Sequence, residues 1–317
     1  MKFYQSTFFD PASNLALEEF LFNRTEEEYL LIYRNQNSVE CGKHQNPVAE
    51  INSEFLSENN IPLHRRFSGG GTVFHDLGNI NFSFITSGAS TRVIDFVKYA
   101  NGIIGFLKSK GIKASLSDRN DILLNGKKIT GHAAHSKGNR ALHHGTLLFD
   151  ANLALLSGCL KSNREKFKSR AVKSVPSRVT NLCAEETISQ PIENFIHDLI
   201  SHLSGIFSIK EELSLNEKDL SDIENLAESK YRDWEWNYAY GPDYTFEIDR
   251  IVLNTDLKVE IAVNKGIIST LSFRESCTFE PALNDLIGKR HDYNEMYQCL
   301  SATMDDQTAT ALTNLFF

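Results

Sequence analysis

The sequence predicts a mixed helix-and-strand chain built as one large domain and a smaller C-terminal one. Three observations carry this. Its 317 residues exceed the ~100–200 of a usual single domain. Stretches of helical period alternate with β-prone runs along the chain. At WEWNYAYGP, residues 234–242, the texture changes, and about 75 residues with three strand-like runs and a helical tail follow the Gly241-Pro242 punctuation. The expected division is therefore 1–242 and 243–317.

The elements follow in order. After a short strand-like start, Asp10 can cap a helix with Pro11 in its first turn, and Leu15, Leu17, Phe20 and Leu21 form its apolar stripe. YLLIYR, residues 29–34, reads as a buried strand. VFHDLGNINFSFI reads as strands broken at Gly78-Asn79, and a helix from about Val93 to Lys110 ends at Gly111. Asn125-Gly126 between two β-prone runs signals a hairpin over residues 121–134. A two-residue loop pairs Leu124 with Lys127, Leu123 with Lys128 and Asp121 with Thr130. Asp121, Leu123, Lys128, Thr130 and His132 then share one face, while Lys127 and Ile129 take the other. ALHHGTLLF, residues 141–149, is a further strand; residues 188–208 and 217–230 are helices, the second acidic.

Composition excludes some functions. Hydrophobic residues at 41% and charged residues at 23% are ordinary for a globular chain. With 33 Lys and Arg against 41 Asp and Glu, the net charge is −8, so nucleic acid is not an expected partner and an anionic ligand has to be met locally. The five cysteines are scattered with no C-x-x-C pair, which argues against a disulfide framework and a zinc ribbon. The first residues lack the character of a leader, and no run of ~18 apolar residues occurs. A soluble cytoplasmic protein, away from membranes, is expected.

Four features bear on chemistry. RRFSGGGTVFH, residues 65–75, puts three glycines after two arginines, which asks for positive φ or close approach to a ligand. It is neither a Walker A loop nor G-x-G-x-x-G, since Phe74 stands where the third glycine belongs. It reads either as an anion-binding nest with Arg65 or Arg66 supplying bidentate contact, or as a glycine-rich turn beside surface arginines. Lys128 can hold a phosphate or carboxylate oxygen with Asp121 as a magnesium ligand, or the two can form a solvent-exposed ion pair. His132, His135, His143 and His144 cluster in sequence, but His143 and His144 alternate across a strand, so zinc is not expected; a histidine lining a pocket and a satisfied core histidine both remain open. The stretch KSNREKFKSRAVKSVPSR carries seven basic residues against one Glu, either as a solvated helix face or as a loop that closes on a polyanion or meets an acidic partner. No nucleophile motif stands out.

Together, RRFSGGGTVFHDLGNINFSFI, RNDILLNGKKITGHAA, HHGTLLFDANL, SVPSRVTNL and WEWNYAYGP resemble the lipoate-protein ligase A family in order and spacing, with NLALEE and YRNQNSVECGKHQNP resembling its opening segments. The resemblance spans essentially the whole chain. It implies an α+β catalytic domain of the class II aminoacyl-tRNA synthetase and biotin-protein ligase type with a small C-terminal accessory domain. It also implies ATP- and Mg²⁺-dependent conversion of lipoate to lipoyl-AMP, then transfer to a lysine of apo lipoyl domains or of glycine cleavage H protein. By that resemblance Arg66, Gly71, Thr72, Val73 and Phe74 would contact ATP, Lys128 would serve nucleotide and lipoate, Ser68, His75 and His144 would contact lipoate, and Asp121 would bind Mg²⁺.

The family's S-G-x-A-x-R stands here as T-G-H-A-A-H, similar to lipoyltransferases that use preformed lipoyl-AMP, so transfer is expected more firmly than activation. An octanoyltransferase would need a pocket cysteine before the hairpin, and IKASLSDRND, residues 112–121, has none. A biotin ligase would carry a different glycine-arginine loop. A non-catalytic lipoate-binding protein is the rival outside enzymes; retention of Arg66, Asp121 and Lys128 with the glycines counts against it.

Overall fold

Tyr29–Tyr33 is buried along its whole length, as an unbroken apolar strand in a sheet covered on both faces must be. Leu30 and Ile32 enter one core and Tyr29, Leu31 and Tyr33 another. This strand lies inside a six-stranded mixed sheet, ordered 130–137, 140–148, 79–87, 29–33, 2–5, 211–212. The structure, a computed structural model, describes all residues except 25–26, 89–94, 161–165, 186–187 and 189.

One face of the sheet is covered by Phe96–Ser109 and Ile192–Phe207, whose apolar sides meet Ile80, Phe82, Phe84 and Leu147. The expected first residues of the former helix, 93–94, and residue 189 of the latter lie outside the described residues. The other face carries Pro11–Asn23, capped by Asp10 Oδ2 on Ser13 N–H at 2.9 Å. This helix is buried nearly all round rather than along a stripe, because Glu217–Leu226 and the turn Ala227–Tyr231 cover its outer side.

Two small sheets flank the large one. Leu63–Arg65, Ser38–Cys41 and Val73–His75 frame the glycine loop, and Ala114–Leu116, Ile122–Leu124 and Lys127–Lys128 carry the hairpin. Beyond residue 242, three antiparallel strands, Tyr244–Val252, Thr255–Asn264 and Ile267–Phe273, and three helices, Glu280–Asn284, Tyr293–Ser301 and Asp306–Phe316, bury a core that also takes in Val48, Ala49 and Phe167. That sheet takes its edge strand, Phe167–Ser169, from the basic stretch. Among its described residues the basic stretch holds no helix, which removes the solvated-helix reading; 161–165 lie outside the described residues. No helix among the described residues is long and apolar enough to cross a membrane.

Candidate active site

Arg65 ends the strand Leu63–Arg65, Arg66 follows it, and the two do different work. Arg65 is fully buried and donates to the carbonyls of Trp236, Gly42, Lys43, Gln45 and Asn237 at 2.8–3.2 Å, so it knits the loop's frame and has no fork left for an anion. The expectation that Arg65 can serve as an anion contact is thereby corrected. Arg66 lines a cavity, and its guanidinium holds the carbonyls of Gly69, Gly71 and Glu40 at 2.7–3.1 Å. The glycines that it clasps are needed for two reasons. Gly70 sits at φ +92°, and a Cβ on Gly71 would stand 3.0 Å from Ser174 Oγ.

The hairpin holds the register read from the sequence at its tip, with Leu124 opposite Lys127 and Leu123 opposite Lys128. The expected pairing of Asp121 with Thr130 does not form. After Lys128 the chain leaves for the large sheet, and Ile122 N–H donates instead to Thr130 Oγ1 at 2.9 Å. Lys128 Nζ and Asp121 Oδ1 still meet at 2.9 Å, in the cavity wall and a quarter or less exposed, whereas Lys127 points to solvent. The Lys128 main chain is pinned to the end of the basic stretch, N–H to Arg178 carbonyl at 2.8 Å and carbonyl to Thr180 N–H at 3.0 Å.

Behind the loop lie two buried carboxylate-imidazole pairs on the polar face of the large sheet. His144 gives one ring nitrogen to Glu18 Oε1 at 2.8 Å and the other to Ser68 Oγ at 2.7 Å, so a ligand meets only its ring carbons. Ser68 is fully buried and does not reach the cavity. His75 faces Glu40 Oε1 at 3.1 Å and Thr146 Oγ1 at 2.8 Å; Thr146 donates to Asn81, so it accepts from His75 Nε2. Burial pushes the Glu40 carboxyl up, but His75 and then Arg66 outweigh it and hold the group at about 2. On the opposite face His132 Nδ1 meets His143 Nε2 at 2.9 Å, and burial first, then Lys128 and His144, depress His132 to about 3. His135 packs against Phe22 and Phe67, away from the cavity.

Two chambers adjoin here. The first, about 340 Å³, is walled by Tyr33, Arg66, His75, His132, Ala133 and His144. The second, about 680 Å³, is apolar, with Phe74, Leu148, Leu156, Leu160 and Val179. Thr72, Val73, Lys128, Gly131 and Thr146 belong to both, as do Ser174, Val175 and Ser177 of the strap 172–177 that crosses the mouth. Of the residues singled out from the sequence, Arg66, Gly71, Thr72, Val73, His75, His144, Asp121 and Lys128 converge on the first chamber and Phe74 on the second. Sequence reasoning missed Glu18, Glu40, Gln45 and Ser174. All four lie inside NLALEE, VECGKHQNP and SVPSR; for Glu18, Glu40 and Gln45 the available signal was an acid or carboxamide amid core-forming residues, and Ser174 offered none.

A family profile describing the lipoyl protein ligase A/B catalytic domain matches residues 10–204. The chain is 36% identical over 300 residues to lipoate–protein ligase 1 of Staphylococcus aureus, covering 92% of this chain and 90% of that one. Among solved structures, a lipoate-protein ligase A bound with ATP superposes with a TM-score of 0.64 at 27% identity, over 75% of this chain and 99% of that one. A bipartite lipoate protein ligase of Thermoplasma acidophilum, described with its E2 lipoyl domain, gives a TM-score of 0.64 at 26% identity, over 75% of this chain and 95% of that one.

Proposed function

The chain belongs to the lipoyl protein ligase A/B catalytic-domain family, and we propose that it activates lipoate with ATP to lipoyl-AMP and passes the lipoyl group to a lysine of an acceptor domain. The observation that carries this reading is the pair of adjoining chambers that share Lys128 in one wall. Adenylation needs two anions within bonding distance, and such a partition lets each enter from its own side of a fixed cation.

The lipoyl chain takes the first chamber, along Tyr33 and the ring carbons of His144, with His75 beside it and Ser68 bracing His144 from behind. The nucleotide takes the second, its base among Phe74, Leu148 and Leu156, its phosphates over Thr72 and Val73 where the two chambers meet, next to Gly71 of the first. Arg66 serves the loop by holding the Gly69 and Gly71 carbonyls, which fixes the backbone over which the phosphates lie.

In the first step a lipoate carboxylate oxygen attacks the α-phosphorus, the bond to the β-phosphate oxygen breaks, and pyrophosphate leaves. Lys128 Nζ stabilises the negative charge on both partners. In the second step an acceptor lysine, as the neutral amine, attacks the acyl carbon; the C–O bond to the phosphate breaks, AMP departs, and the amine releases a proton to solvent. Asp121 is a single carboxylate in the cavity wall, with no group of three His, Cys, Asp or Glu ligands among the described residues, and this suits an ion held through one carboxylate and substrate phosphates. Asp121 would hold Mg²⁺, which would supply charge neutralisation on the phosphates.

Apo lipoyl domains and glycine cleavage H protein are the proposed acceptors. Arg119, Lys173 and Arg178 are exposed around the mouth of a chain with net charge −8, and this rim suits an acidic protein surface. Lipoate-dependent ATP–pyrophosphate exchange, run beside transfer from synthetic lipoyl-AMP to an apo lipoyl domain, tests the proposal. Exchange and transfer together support it. Transfer without exchange makes the protein a lipoyltransferase, and neither removes the reading.

A further inference from the structure

Gln45 lies fully buried beneath the glycine loop, outside both chambers, and its carboxamide bonds both the loop and the strap. Its Oε1 accepts from Gly42 N–H at 2.8 Å and from the Thr72 hydroxyl at 2.9 Å. With two donors on that oxygen the carboxamide has one orientation, and its Nε2 is aimed at Ser174 Oγ at 3.0 Å. Thr72 N–H donates to the same Ser174 oxygen at 2.8 Å. Gln45, Thr72 and Ser174 thus close a three-membered ring of hydrogen bonds. The strap is seated further by Val172 N–H on the His44 carbonyl at 3.1 Å and by Ser174 N–H on Glu50 Oε1 at 3.2 Å.

We infer that Gln45 is a positioning residue that latches the strap 172–177 onto the glycine loop and so keeps the adenylate enclosed until an acceptor lysine arrives. The inference rests on the proposed lipoyl-AMP chemistry. Its physical ground is asymmetry. With the strap seated, both donors have an acceptor; with it lifted, the Gln45 amide and the Thr72 amide face a partly buried notch and must find water. The glycine loop, which meets the ligand, therefore biases the position of the strap that covers the ligand. Gly71 takes part by omission, since any side chain there would push Ser174 away.

The test is retention of bound lipoyl-AMP. Purified full-length protein is loaded with radiolabelled synthetic lipoyl-AMP, an excess of unlabelled adenylate is added, and loss of label is followed without acceptor. Gln45→Ala and Ser174→Ala should each release adenylate ~10-fold faster than wild type, the scale of one ordinary hydrogen bond, and the double variant should release it no faster than the worse single one. Ser174→Thr, which keeps the hydroxyl, should behave as wild type. With ATP and lipoate supplied, the leaky variants should form more AMP per acceptor lipoylated. Unchanged retention in Ser174→Ala, or release in the double variant that multiplies the two single effects, overturns the latch; Ser174 is half-buried on the strap, so this arm stands even where Gln45→Ala fails to fold. Because the adenylate is supplied ready-made, absence of pyrophosphate exchange in the wild type would sink the activation step and leave the latch result readable.

Discussion

Replacing Lys128 by methionine removes the ammonium and keeps most of the side chain's length and apolar volume. The group lies 2.9 Å from Asp121 Oδ1, with the lysine side chain 25% exposed and the aspartate 19%. A pair that wet contributes no more than ~1 kcal/mol to stability, so the melting temperature should move by only a few degrees. Activity should fall much further. Loss of one preorganised group at the reacting charge costs ~2.7–4 kcal/mol, about 10²–10³ in rate. The bare Asp121 carboxylate adds repulsion toward the phosphates, on the order of 3 kcal/mol for charges about 5 Å apart at an effective dielectric of about 20. Lys128→Met should thus lose at least about 10³ in lipoate-dependent ATP–pyrophosphate exchange, and Asp121→Asn added to it should recover part of that loss. Lys127→Met, one residue away on the solvent side, should keep most of the activity. Equal losses at 127 and 128, or a Lys128 variant within tenfold of wild type, would refute the reasoning from hairpin register to chemistry.

Arg65→Met strands five carbonyl contacts in a buried frame; at ~1–3 kcal/mol for each group left unsatisfied, a loss above ~3 kcal/mol and a drop of ~6–12 °C in thermal unfolding are expected, and a drop under about 3 °C would mean that the frame is held otherwise. Gly71→Ala should raise KM for ATP by about tenfold with the melting temperature unchanged, since its Cβ would stand 3.0 Å from Ser174 Oγ and displace the strap. Burial, then charge from neighbouring imidazoles, holds His143 at about 2, and His132 is held at about 3, both below the ordinary 6.5. Their neutral forms therefore stabilise the fold fully above pH 6.5, and that contribution drains as pH falls through 6.5 toward 3, by at most ~2 kcal/mol each at pH 5. Urea unfolding at pH 7.5 and 5.0 should show the loss in wild type and about half of it in His143→Phe; an equal loss in both would exonerate the pair.

What could be read from the sequence followed the range over which each signal acts. The Asp10 cap and the Asn125-Gly126 hairpin are decided within four residues, and both stand where local chemistry puts them. The hairpin reading failed at Thr130, where a competing strand, Arg140–Leu148, takes the chain over; no local pattern announces that partner. The arginine pair shows the same limit. Arg65 and Arg66 are identical in type and adjacent, and only the arrival of Trp236 and Asn237 from 171 and 172 residues away commits the first to structure. The glycines were correctly marked as needing a reason, but the reasons differ: a positive φ at Gly70, and at Gly71 a neighbour 103 residues downstream. Glu18 and Glu40 were invisible for a related cause. A buried carboxylate is tolerable only against its imidazole, and those partners, His144 and His75, are brought to it by sheet register.

The strap and the lysine are joined through the backbone as well as through the chamber. Lys128 N–H donates to the carbonyl of Arg178, the residue that follows the strap, and Thr180 N–H returns a bond to the Lys128 carbonyl. A parallel bridge of this kind fixes where Lys128 sits along the chamber wall. Lifting the strap by its Ser174 end leaves that hinge intact, since the two ring bonds at Ser174 and the two backbone bonds at Lys128 lie at opposite ends of residues 174–180. Opening can then admit substrate without moving the ammonium that both half-reactions use. The other order of attachment, with the hinge at Ser174 and the free end at Arg178, would release the lysine's main chain each time the chamber opened, and the cation would have to be repositioned before every turnover. The latch at one end and the hinge at the other are therefore a single arrangement, and it explains why the SVPSRVTN segment sits opposite Lys128 and not elsewhere on the rim.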